Sequence, residues 1–233
     1  MAKQRKDVYG KIGAPYWDDK PVAIVGGGLS LQNFDFERLR GAHVLAIKGS
    51  IFDIPWADAG FGLDMPRYEE WRDKLAQLPM RIYWAVPDND RWVDRAKGPP
   101  SDNITFLKRL DGENMSDDPG EIYGGGTSGF GGMQIALHKR AKEIVLFGFD
   151  YVPGSVGTAE QLGTVRHNDQ YYEKKRAQND HNWMMWAQHF NVYMDYIREQ
   201  GITVWNACPN SRIDCFQKCT LDDGVAFLKI PSE

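Results

Sequence analysis

Short apolar runs alternate with polar stretches of helical period along most of the chain. Seven runs predict strands: VAIV (22–25), HVLAIK (43–48), AGFGLD (59–64), RIYWAV (81–86), ITFLKRL (104–110), EIVLFGF (143–149) and TVWNA (203–207). Most are apolar at consecutive positions, the pattern of a strand covered on both faces. Helical spacing predicts helices over 31–40, 66–77, 128–141 and 181–200. The last is the best marked. Its Trp183, Trp186, Phe190, Met194 and Ile197 recur at steps of three and four and share one face. Gly201 then follows where a left-handed residue closes a helix. Strands linked by helices predict an α/β fold with a mostly parallel sheet and helices on both faces.

Residues 97–125 and 151–180 resist a regular reading, being long, polar and rich in turn formers. Both follow strands on the side where α/β sheets bind ligands, and 151–180 is expected to form a lid or acceptor loop. Residues 1–20 read as an N-terminal tail and 21–233 as one domain. A chain of 233 residues, 42% hydrophobic and 26% charged, is long enough for one sizeable core. A net charge of −4 and a pI near 5.8 count against a protein that neutralises many phosphates of nucleic acid. The basic start MAKQRK precedes no apolar run, and the longest apolar runs fall far short of a membrane span. The expectation is a cytoplasmic protein. Cys208, Cys215 and Cys219 match no common zinc spacing and read as reduced structural thiols.

The stretch VGGGLS (25–30) joins the first strand to the next helical pattern. Such a turn leaves the first helical amides without partners, and a phosphate can accept from them, while glycine permits close approach. It is therefore a candidate phosphate turn; the other reading is a packing turn. The dinucleotide fingerprint fails because Leu31 stands at its third glycine, and no P-loop lysine follows. A second cluster, YGGGTSGFGGMQIAL (123–137), precedes a helix in the same way. There Thr127 and Ser128 can cap the helix while offering hydroxyls to a ligand. Together the two clusters favour a small anionic ligand.

The order GGGLSLQNFDFERL, AIKGSIF, GLDMPRY, TSGFGGMQIALHKRAKEIVLFGFDY and YIREQGITVWNACPNS resembles the bacterial sialyltransferases of glycosyltransferase family 42. It also resembles the broader group containing archaeal 6-hydroxymethylpterin diphosphokinase-like proteins. The resemblance covers most of 20–215. It implies a single Rossmann-like domain of the GT-A-like kind with a small lid. It implies a nucleotide-activated sugar donor, CMP-sialic acid in the characterised sialyltransferases, used without a metal or other cofactor. By position, Gly26, Gly27, Gly28 and Ser30 would border the nucleotide phosphate and ribose. Thr127, Ser128 and Gly129 would contact the nucleotide, Gly148 and Asp150 would flank its pocket, and Asn210 and Ser211 would shape the far wall. Tyr151, with Tyr171 and Tyr172 as further candidates, would steady the leaving phosphate. Family members often assemble, so a homo-oligomer is compatible. At two positions the chain departs: Lys48 and Asp64 each stand where the sialyltransferases place an asparagine. Neither reproduces an amide that both donates and accepts.

Sugar transfer from a nucleotide requires a base for the acceptor hydroxyl, stabilisation of charge on the leaving phosphate, and exclusion of water. Histidine suits the first role. His43 on a strand and His138 on an exposed helix face beside Lys139 and Arg140 read as structural or solvated, and His189 as packing. His181 is the favoured base, with His167 close behind and Asp169 or Asp180 to orient the imidazole. One alternative is a magnesium-dependent pyrophosphokinase acting on a pterin-like alcohol, with Asp64 and Asp150 holding the ion. Another is a nucleotide-binding module without chemistry. The acceptor is open.

Overall fold

The structure, a computed structural model, describes residues 8–89, 92, 98–152 and 180–228. All seven expected strands form: β1 (Val22–Val25), β2 (His43–Ile47), β3 (Ala59–Gly62), β4 (Arg81–Pro87), β5 (Ile104–Leu110), β7 (Glu143–Phe147) and β8 (Thr203–Asn206). Two short strands were not anticipated, β6 (Glu121–Tyr123) and β9 (Gln217–Lys218). The nine make one sheet in the order β6-β5-β4-β3-β2-β1-β7-β8-β9. Every pairing is parallel, so the described sheet is wholly rather than mostly parallel. β1 lies between β2 and β7, with Val22 opposite both His43 and Ile144.

Both faces of the sheet are covered, which is why the central strands are apolar at every position. Val22 and Ile24 enter one core with Phe130, Met133, Trp183, Trp186, Phe190 and Tyr193. Ala23 and Val25 enter the other with Tyr68, Trp71, Trp84 and Phe147. Six α-helices are described: α1 (Ser50–Asp53), α2 (Met65–Leu75), α3 (Ser128–His138), α4 (Asp180–Gln188), α5 (Met194–Glu199) and α6 (Leu221–Phe227). α3 returns the chain from β6 to β7, packing across β3, β2 and β1 on the way. Its first turn consequently meets the carboxyl edge of the sheet near the centre. α6 starts on a capping box between Thr220 and Asp223.

The helix expected over 31–40 does not form. In its place stand two 3₁₀ turns, Leu29–Leu31 and Phe36–Leu39. Asn33 between them is left-handed, with φ 63°, and the Asp35 carboxylate accepts from Glu37 N. Such side chains offer the backbone a local alternative to a helical ladder. The 181–200 pattern holds as α4, a 3₁₀ stretch His189–Tyr193 and α5, closed by Gly201 at φ 62°. Its aromatic stripe is core, Phe190 fully so.

Residues ahead of β1 pack onto the domain: Ile12 and Trp17 are buried, and Ile12 N donates to Pro119 O. This segment alters the surroundings of α3's last turn. Lys139 is buried; its Nζ donates to the carbonyls of Gly13 (2.6 Å) and Pro15 (3.0 Å). His138, expected on an exposed face, is half-buried instead; its Nε2 has no hydrogen-bond partner among the described residues, and burial lowers its pKa. His43 bridges Asp19 (2.9 Å) and Asp58 (3.0 Å), a structural clasp at the start of β2. No helix among the described residues is long and apolar enough to cross a membrane.

Candidate functional site

Strand order reverses at β1, with β2 to β6 on one side and β7 to β9 on the other. In open parallel sheets ligands bind outside the carboxyl ends of the strands at that point. Gly26–Ser30 follows β1 and Gly148–Tyr151 follows β7, so these expected site segments meet there. Gly26 N donates to Phe147 O (2.8 Å), Gly28 N to Gly148 O (3.0 Å) and Ser30 N to Asp150 Oδ2 (3.0 Å). Gly27 lies half-buried between the first two. A Cβ on Gly28 would stand 2.2 Å from Asp150 Oδ2 and 2.7 Å from Gly148 O. The neighbouring strand end therefore demands a bare backbone here, and packing accounts for the turn. Its Gly26, Gly28 and Ser30 amides are already bonded within the protein.

The segment after β8 braces this wall. Ser211 Oγ donates to Phe149 O (2.6 Å), and Arg212 N donates to Asp150 O (3.1 Å). The Cys208 thiol accepts from Phe149 N (3.2 Å) and lies 3.3 Å from Ser30 Oγ. Burial pushes the Cys208 pKa up to about 12, and the Asp150 charge adds to the effect, so the thiol is held neutral. Asn210 is exposed. Ser50, which the sequence reading missed, donates from Oγ to Gly26 O (2.7 Å) and ties α1 to the β1 turn.

The second glycine cluster differs. Thr127 caps α3, its Oγ1 accepting from Phe130 N (3.3 Å). The same oxygen is 2.6 Å from the Tyr151 hydroxyl. The amides of Ser128 and Gly129, first in the helix, have no acceptor among the described residues, as expected for a helix start. The Ser128 hydroxyl is buried without a partner among the described residues. An unsatisfied buried hydroxyl of this kind calls for a ligand or an ordered water. Tyr151 is buried and left-handed, with φ 52°, a costly conformation for a bulky residue. Burial raises its pKa far above the phenol range, so it remains a neutral donor. Residues around Tyr151 hold it in place: Phe149, Trp183 and Phe190 all pack against its ring.

The two positions that depart from the resembling family form a single interaction. Lys48, left-handed at φ 56° after β2, places Nζ 3.0 Å from Asp64 Oδ2 at the start of α2. Their side chains are about four-fifths buried, at 20% and 18% exposed. Beside the pair lies a cavity of about 250 Å³ bounded by Leu63, Asp64, Pro66, Pro87, Arg109 and Gly126. Arg109 was not singled out from the sequence, because Lys108 and Arg109 at a strand end resemble a solvated face.

His181 stands exposed in the first turn of α4. Two residues on, Trp183 points into the core, roughly 200° around the helix, so His181 faces away from Tyr151. His189 Nδ1 lies 3.0 Å from Gly125 O and its ring packs on Phe130, in keeping with a packing role. His167, Asp169, Tyr171 and Tyr172, with most of the expected lid, lie outside the described residues.

No protein-family model matches the sequence, and no curated protein does. Solved structures do share the fold. MAf glycosyltransferase from Magnetospirillum magneticum AMB-1 superposes with a TM-score of 0.60 at 12% identity, over 95% of this chain and 39% of that one. The sialyltransferase CstII from Campylobacter jejuni, in complex with the substrate analogue CMP-3FNeuAc, gives 0.52 at 17% identity, over 85% and 86% of the two chains. A CstII variant in complex with CMP matches to the same degree. The chain thus spans 39% of the Magnetospirillum enzyme and most of the length of CstII. It shares its fold with these structures.

Proposed function

We propose that the protein is a glycosyltransferase that takes a sugar from a nucleotide-activated donor, CMP-linked in the first instance, without a metal. The observation that carries this reading is the open start of α3. Two partnerless amides and a partnerless Ser128 hydroxyl lie beside a neutral buried Tyr151, at the carboxyl edge of a sheet with the fold of CMP-binding CstII. Main-chain donors at a helix start, with the dipole behind them, suit a phosphate.

The donor's phosphate accepts from Ser128 and Gly129 N–H, from the Ser128 hydroxyl and from one hydroxyl of the Thr127–Tyr151 pair, the other donating within the pair. These donors are fixed before reaction and stabilise the charge that develops as the sugar departs. Lys48, paired with Asp64, borders the site on the same edge of the sheet. The Gly26–Ser30 turn, with Gly148, Asp150 and the Ser211 brace, forms the wall against which the nucleoside rests. His181, exposed in the first turn of α4 and turned away from Tyr151, and His167 are the two candidates for the base that takes the acceptor proton.

The test is transfer or donor hydrolysis with a panel of nucleotide sugars, in EDTA and in magnesium. The reading expects activity that persists in EDTA and collapses in His181→Ala or His167→Ala. Absolute magnesium dependence selects the pyrophosphokinase. Binding without turnover, indifferent to histidine substitution, selects a module that kept the fold and lost the reaction.

A further inference from the structure

We infer that the cavity beside Gly126 is a second anion subsite, separate from the nucleotide phosphate at the start of α3, and that Arg109 reads the anion. This rests on the proposed nucleotide site. It adds that the ligand carries another negative group some distance from the first.

The charge inventory of the cavity leads to this. Two cations stand side by side at the end of β5. Lys108 is matched by two carboxylates, Asp88 at 3.5 Å and Glu121 at 3.3 Å. Arg109 is matched by none among the described residues; its one described bond is from Nη1 to the Leu63 carbonyl, at 3.1 Å. The carboxylate that does line the cavity, Asp64, is held by Lys48. Asp64 is thereby neutralised, and among the described residues the half-buried guanidinium is left as the uncompensated charge. Sheltering an unmatched cation from water is costly, and a bound anion removes the cost. The apolar walls of Pro66 and Pro87 strengthen any charge interaction made there.

Shape and position narrow the ligand class. Pockets for whole small ligands run from about 300 to 1,000 Å³, so about 250 Å³ holds one portion of a larger molecule. Gly126, at φ 76°, lines the cavity and immediately precedes Thr127, so the cavity adjoins the start of α3. A ligand whose phosphate meets Ser128 and Gly129 extends its next portion into it. The planar guanidinium fork matches a carboxylate or a phosphate. Two sources present that chemistry: the carboxylate of an acidic transferred sugar, or the distal phosphate of a nucleoside diphosphate.

Calorimetric titration of wild type, Arg109→Gln and Arg109→Lys with CMP, CDP, a CMP-linked acidic sugar and inorganic pyrophosphate separates the possibilities. A urea melt of each variant confirms that it folds. Arg109→Gln is expected to leave CMP affinity within about twofold and to weaken a ligand carrying the second anion by about ten- to a hundredfold. Arg109→Lys, which keeps the charge and loses the fork, recovers part of the loss. A loss confined to CDP and pyrophosphate assigns the distal phosphate; one confined to the acidic sugar assigns the carboxylate; either supports the inference. Equal affinities in wild type and Arg109→Gln overturn it while leaving the proposed function standing, provided CMP still binds. A loss that includes CMP overturns it as well, because Arg109 then reads the first phosphate. Arg109-dependent binding of pyrophosphate without CMP binding keeps the subsite and removes the nucleotide reading. Failure of every ligand removes both.

Discussion

The turns at Gly26–Ser30 and Gly124–Gly129 have similar compositions, and both stand at the carboxyl edge of the sheet, yet they end in opposite electrical states. In the first, the amides of Gly26, Gly28 and Ser30 find acceptors on Phe147, Gly148 and Asp150 at the end of β7. In the second, the amides of Ser128 and Gly129 and the Ser128 hydroxyl find none among the described residues. The difference comes from the end of β7, whose Phe147 and Gly148 carbonyls and Asp150 carboxylate reach across the switch point to the first turn. Glycine-rich turns of one appearance can thus build a wall or offer a site. Which they do depends on a strand end far away in the chain.

The comparison can be broken by substitution, and the largest effect is expected at Gly126. An added Cβ would meet the Trp186 indole nitrogen at 2.2 Å, on a backbone with φ 76°. Gly126→Ala is expected to cost about 2–4 kcal/mol from strain and overpacking combined, read from urea midpoints. A variant as stable as wild type would mean that Trp186 yields and the α4 contact is soft.

Removing the acceptor that closes the first turn should come next. Asp150→Ala leaves Ser30 N without its bond and opens space beside Gly28, for a loss of about 1–3 kcal/mol. Asp150→Asn retains an acceptor oxygen and should lose less. Equal losses would show that charge, not hydrogen bonding, closes the wall.

Ser128→Ala sharpens the contrast from the other side. Removing a partnerless buried hydroxyl should leave stability unchanged or raise it by up to about 1 kcal/mol, while nucleotide affinity falls roughly tenfold. A drop in stability with unchanged affinity would make Ser128 a packing residue like those of the first turn.

The smallest effect concerns pH. The Cys208 pKa is raised by burial from its ordinary value to about 12. A raised folded pKa contributes stability that is complete below the unfolded value near 9 and declines as pH rises toward 12. Urea midpoints should fall between those limits, and Cys208→Ala should flatten the fall. Thiol reagents at pH 8 should leave Cys208 unlabelled in the native protein.

The strands were legible because parallel strands covered on both faces are apolar throughout, and VAIV or EIVLFGF can hardly do anything else. β6 and β9 were not, being three and two residues long with polar members paired only through tertiary context. The false helix at 31–40 shows periodicity losing to local chemistry, since Asn33 and Asp35 redirect the backbone that Leu31, Phe34 and Leu39 would have wound. At the site, the sequence marked both glycine turns and the two departures at Lys48 and Asp64. It did not reveal that those departures answer each other across 3.0 Å, nor that Asp150 closes one turn. Arg109 was hidden for a related reason. A cation at a strand end looks solvated until the absence of a counter-charge is visible in three dimensions.

Backbone amide NMR during titration with CMP tests the contrast most directly. The account predicts that the Ser128 and Gly129 resonances move on binding, while Gly28 and Ser30, already bonded to Gly148 and Asp150, shift far less. Movement led by Gly28 and Ser30, with Ser128 and Gly129 unmoved, would contradict it.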